Sequence, residues 1–188
     1  MPDTFTSHYL NDALTQFRQM KDLADRAMAQ IGDDDLFIAL DEDANSIAVL
    51  LKHTAGSMRE RWTAFPADAE GTPDRDRDRE FVIQEGDSAR SLRHRWEAGW
   101  QCLFDAFDRL TPEDVTRTVS IRGKPFSVVE AINRQLTHYA YHVGQIVFLA
   151  RHFAGEGWTS LSIPKGRSRD FDVARNGRPY RTASEESR

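Results

Sequence analysis

The chain has 188 residues, of which 39% are apolar and 29% charged, with a formal net charge of -5 and a pI near 5.7. Those values suit one domain of ordinary size with a solvated surface, and they exclude wholesale disorder. Mild acidity gives no general pull toward nucleic acid or anionic lipid. No run of about 18 apolar residues exists to span a membrane, and the single cysteine, Cys102, leaves no internal disulfide to form.

The first dozen residues lack the basic start and apolar stretch of a secretory signal, so a cytoplasmic protein is expected. Leu10, Leu14, Phe17, Met20, Ala24, Met28 and Ile31 recur at three- and four-residue steps. That spacing predicts a first helix over 6–31, stopped by Gly32 and three aspartates. A loop is expected over 36–43. A second helix starts after Asn45 or Ser46, both good N-caps, and carries Ile47, Leu50, Leu51, Thr54, Met58, Arg61, Trp62 and Phe65 before Pro66 ends it.

The stretch 67–80 alternates Asp and Arg without apolar periodicity and reads as a solvated loop. It is long enough for a crossover, so the helix order need not be a simple up-down-up-down. A third helix is expected over 88–110, with Leu92, Trp96, Gly99, Trp100, Leu103 and Phe107 on its stripe. Thr111-Pro112 starts a short turn. The period then shortens, and Arg122-Gly123 between two short alternating runs predicts a small β-hairpin.

The fourth helix, 127–153, has the clearest signals: a Ser127/Glu130 capping box, an apolar face of Val128, Ala131, Ile132, Tyr139, Ile146, Leu149 and Ala150, and Gly155 and Gly157 as a stop. The fold class is therefore all-α, a four-helix bundle with a small β-hairpin before the last helix. An irregular C-terminal segment follows. One domain is expected over 1–172, with 173–188 a flexible tail whose basic residues give no strong nucleic-acid signal.

His138 and His142 lie one turn apart on the fourth helix. At about 100° per residue from Val128, they fall at about 280° and about 320°, on the core side. A buried imidazole needs a partner for each nitrogen. A divalent metal supplies one, and an oxygen behind the ring the other. The same spacing also occurs by chance on helix surfaces, so a third donor from another helix is required. His53, at the edge of the second helix's stripe, is the candidate. Zinc, nickel, iron or manganese would all suit imidazoles.

Gly144 would let another backbone approach, and Gln145, beside His142, is a candidate for supporting a ligand from behind. His8, His94 and His152 read as surface residues, Tyr139 as core and Tyr141 as peripheral. Cys102, on a helix edge, reads as inert rather than nucleophilic. No acid stands beside the histidines in sequence, so no catalytic base can be named.

Leu51-Lys52-His53, together with His138-Tyr139-Ala140-Tyr141-His142-Val143-Gly144-Gln145, resembles the DinB-like (YfiT-like) superfamily of metal-binding bundles. The ending Trp158-Thr159-Ser160-Leu161-Ser162-Ile163-Pro164-Lys165-Gly166 resembles that of one uncharacterised branch. The resemblance covers roughly 6–172. It implies an up-down-down-up bundle, a three-histidine site for zinc, nickel or a similar ion at His53, His138 and His142, and a homodimer.

Characterised members of that superfamily include thiol-dependent S-transferases and a mycothiol-dependent maleylpyruvate isomerase, which share a low-molecular-weight thiol bound and activated at the metal, and others are known as DNA-damage-inducible proteins without an assigned reaction. The expected function is accordingly a metal-dependent enzyme acting on a small-molecule substrate, with thiol S-transfer preferred. A metal-dependent hydrolase and a non-catalytic, metal-stabilised bundle are the alternatives. Three protein ligands leave an open position, which marks a catalytic rather than a structural site.

Overall fold

The structure, a computed structural model, describes residues 4–67 and 75–168. Four helices dominate it: α1 (Thr4–Met28), α2 (Ile47–Trp62), α3 (Ala89–Arg109) and α4 (Val128–Ala154). A two-stranded antiparallel hairpin, β1 (Thr118–Ile121) with β2 (Lys124–Ser127), precedes α4. No helix is long and apolar enough to cross a membrane among the described residues. The tail expected over 173–188 lies outside the described residues.

Caps set the helix starts where the sequence indicates them. Ser46 Oγ accepts from the Val49 amide at the start of α2. Ser127 accepts from the Glu130 amide, and Glu130 returns a carboxylate to the Ser127 amide at 2.7 Å. Each pair satisfies amides that have no partner inside the helix. The first two helices stop about three residues sooner than their apolar stripes suggest. Ile31 and Phe65 pack from the turns that follow. In a similar way, the loop expected over 36–43 begins with a 3-10 turn, Asp34–Phe37, that buries Leu36.

Side-chain bridges define the helix directions. Tyr9 donates to Asn133 Oδ1 at 2.9 Å and Gln30 to the Thr159 carbonyl at 3.1 Å, so α1 and α4 run parallel. Lys52 meets Asp87 at 2.6 Å and Arg109 donates to the Trp62 carbonyl at 3.3 Å, so α2 and α3 also run parallel. Trp96 donates to Asp25 while Phe107 packs on Phe17, which sets α3 against α1. The bundle is up-down-down-up, with the connection 63–88 as its crossover.

The core is aromatic at its centre. Phe17, fully buried, makes edge contacts with Trp62, Trp100 and Phe107 and a tilted one with Tyr139. Such contacts add to the burial of large rings. Trp62 Nε1 donates to Tyr139 Oη at 3.1 Å, which satisfies two polar atoms inside this apolar region. In the hairpin, Arg122 (φ 53°) and Gly123 (φ 70°) form the two-residue turn. Both central residues take the left-handed conformation that matches the twist of the strands.

Candidate metal centre

α2 and α4 run antiparallel, and each presents a row of polar side chains to the same groove. His53, Ser57 and Arg61 stand at successive turns of α2, and Arg134, His138 and His142 at successive turns of α4. The antiparallel pairing sets His53 opposite His142 (ring centroids 5.0 Å apart) and Ser57 opposite His138.

His53, His138 and His142 each offer a ligand atom, and these atoms all lie within 4.8 Å of one another. His53 and His142 are buried and His138 is half-buried. The structure thus brings together the three histidines singled out in the sequence, in a cluster that could hold a metal ion. His8, His94 and His152 are exposed.

The hydrogen bonds around the rings bear on how well the cluster suits a cation. His53 Nδ1 donates to Glu80 Oε2 at 2.9 Å. His142 Nδ1 donates to Gln145 Oε1 at 3.0 Å, and His138 Nδ1 to Gln135 Oε1 at 3.3 Å. Each ring thereby spends Nδ1 on a side-chain oxygen and keeps Nε2 as its lone-pair atom, the tautomer a metal requires. The Nε2 atoms of His138 and His142 stand only 3.2 Å apart. At that distance the two atoms either share a proton or turn both lone pairs toward a cation.

Electrostatics keep the His138 and His142 rings neutral. Burial, joined by the neighbouring His142 and His53 imidazoles, pushes the His138 pKa down to about 3. Burial likewise lowers His142 to about 4, with Gln145 partly opposing it. A neutral imidazole is the form that binds metal.

Glu80 is the residue that the sequence reading missed. It lies on a 3-10 turn, Asp78–Phe81, that folds back onto α2 from the stretch expected to be a solvated loop. That expectation needs correction for Arg75 and Glu80, which turn inward, while residues 76–79 between them are exposed as expected. Arg75 holds Glu80 with two parallel bonds of 2.8 Å and also bonds Glu60. Phe81 packs its ring 4.8 Å from His53. Burial would raise the Glu80 pKa, but the bonds from His53 and Arg75 outweigh it and keep the carboxylate ionised.

Gly56 makes this approach feasible, since a Cβ there would fall 2.0 Å from Glu80 Oε1. A mid-helix glycine three residues after His53 was the available signal. Beyond the turn, Lys52 ties the chain down again through the Val82 carbonyl and Asp87.

Several other expectations are settled by position. Gln145 does stand behind His142. Gly144 meets no neighbouring backbone among the described residues, none of which lies within 4 Å of a Cβ built there. Tyr139 is fully buried core. Tyr141 is half exposed yet packs its ring 4.2 Å from His142, closer to the cluster than a peripheral residue would be. Cys102 is half-buried beside Thr63, between α2 and α3, and lines a separate cavity from the histidines.

A helical bundle with three convergent histidines at a groove between its second and fourth helices defines the class of protein. Residues 4–167 match the family model described as "Protein of unknown function (DUF1572)", and the chain belongs to that family. No curated protein matches the chain.

Proposed function

We propose that His53, His138 and His142 bind one divalent metal ion, zinc or nickel before iron or manganese, and that the protein is a metal-dependent enzyme of the DinB-like superfamily. The observation that carries this reading is the arrangement of nitrogens. Every Nδ1 is committed to a protein oxygen while the Nε2 atoms of His138 and His142 face each other at 3.2 Å. Three histidine ligands, of which His53 and His138 line a cavity of about 480 Å³, suit an open catalytic site rather than a closed structural one.

A divalent ion there would acidify a small thiol or a water and so supply a nucleophile at neutral pH. Thiol transfer to an electrophile is the preferred reaction, on the strength of the resemblance in the last helix. The chain's own residues do the holding. Glu80 fixes the His53 ring and makes it a better donor, Gln145 and Gln135 fix the other two, and Arg75 keeps Glu80 ionised and in place.

Metal content and melting temperature of the wild type and of His142→Ala test the reading. The wild type should carry or take up one equivalent of metal, and the variant should lose it with little loss of stability. Wild type that takes up no stoichiometric metal ends the proposal. A collapse of melting temperature on metal loss would assign the ion a structural role instead. A panel of small thiols with a bromobimane-type electrophile then tests the reaction, which should show a metal-dependent rate above background with at least one thiol.

A further inference from the structure

The cavity beside the histidines is strongly cationic. Its walls carry five arginines, Arg61, Arg75, Arg77, Arg122 and Arg134, and one acid, Glu60. Arg75 is already committed to Glu60 and Glu80. Arg61 is the unusual member. It is 5% exposed, and its Nε and Nη1 have no hydrogen-bond partner within the protein. Its one ion pair, to Glu60, is long at 4.0 Å.

A buried guanidinium with idle donors costs stability, because its lost hydration is not replaced. Burial, with Arg122 and Arg134 close enough to add repulsion, also lowers the Arg61 pKa. Arg122 reaches the cavity from the hairpin turn.

Position gives the cluster a direction. Arg61 stands two turns beyond His53 on α2, and Arg134 two turns before His138's partner His142 on α4. The histidines therefore occupy one end of the groove and the guanidinium groups the other. The fork of a guanidinium matches a carboxylate or a phosphate, each of which accepts two parallel bonds. A cavity of about 480 Å³ is of small-molecule size.

We propose that this cavity is the substrate subsite of the centre and takes a small molecule bearing a carboxylate or phosphate group, which Arg61, Arg122 and Arg134 hold while its reactive end faces the histidines. Only the last clause rests on the metal-site reading; the anion subsite is built from arginines alone.

Calorimetric titration with inorganic phosphate and, separately, with succinate tests this, on metal-loaded and on chelator-stripped protein. At least one anion should bind the wild type in both forms. Binding should weaken at least about tenfold in Arg61→Met, as loss of a charge-assisted contact requires. The same variant should keep its metal and melt no lower than the wild type, since it removes a buried charge without a full set of partners. Should it fail to fold, Arg134→Gln, on an exposed position, carries the test with the same expected loss.

Tighter binding of phosphate names a phosphorylated substrate, and tighter binding of succinate a carboxylated one. The proposal is overturned if neither anion binds the wild type or if binding is unchanged in Arg61→Met. Binding that vanishes with the metal also overturns it, because the ion would then be the anion's site. Failure of the wild type to take up metal sinks the earlier reading only, and the stripped-protein titration still decides this one.

Discussion

Tyr139 and His138 are neighbours in sequence, yet they belong to two different interiors. Tyr139 enters the aromatic core, where Phe17, Trp62 and Trp100 surround it and Trp62 donates to its hydroxyl oxygen. His138 enters the groove, where a second imidazole faces it and the nearby Arg61 keeps idle donors. The first region is held by ring packing and by the Trp62–Tyr139 bond, with Trp100 Nε1 its one buried donor left without a partner among the described residues. The second gathers imidazoles and guanidinium groups, and two donors of the buried Arg61 have no partner among the described residues, so its polar atoms are arranged by more than packing.

The largest effect should come from the packed region. Phe17→Ala should cost about 3–5 kcal/mol, as truncation of a fully buried aromatic does. Chemical denaturation would measure it, and under native conditions the variant should still take up metal. Parallel loss of metal binding in the folded variant would show that the two interiors are not separable.

A smaller effect is expected in the groove. Glu80→Gln removes the carboxylate behind His53, and metal affinity should fall about 10–100-fold, the usual consequence of losing such a partner. Competition with a chelating dye reads this directly. Gly56→Ala should weaken metal in the same sense by pushing Glu80 aside, even though alanine favours the helix by about 1 kcal/mol. An unchanged affinity in both variants would remove Glu80 from the site.

Metal-free protein should also show a slope against pH. His138 and His142 protonate at about 3 and about 4 in the fold, against 6.5 for an ordinary imidazole. Below about pH 6.5 the unfolded chain therefore takes up protons that the folded chain refuses. Stability should decline as pH falls from there toward the folded values and then level off. Denaturation midpoints at several pH values check this, and a variant with both histidines replaced by glutamine should lose that part of the slope.

The helices were legible because burial imposes a period on them and because Ser46, Ser88 and Ser127 mark their starts. The histidine cluster was legible for the same reason: a helix fixes what faces inward, so His138, His142 and His53 could be placed from spacing. Glu80 and Arg75 could not. They sit in a charged run with no period, and their inward turn depends on Phe81 and Gly56, contacts between segments far apart in sequence. Arg61 was visible on the apolar stripe of α2, but spacing cannot tell an arginine with partners from one without.

The parallel pairing of α2 and α3 carries a further consequence. A helix of 16 residues is about 24 Å long, and a chain that must return that distance needs only about seven extended residues. The segment from 63 to 88 is far longer than that. The topology demands a return path, and this segment is longer than the minimum that path requires. Here that excess delivers Arg75 and Glu80 to the histidines. Related chains can thus change what stands behind His53 by lengthening, shortening or rewriting this one path while leaving the four helices alone, and the chemistry of the centre can diverge faster than its scaffold.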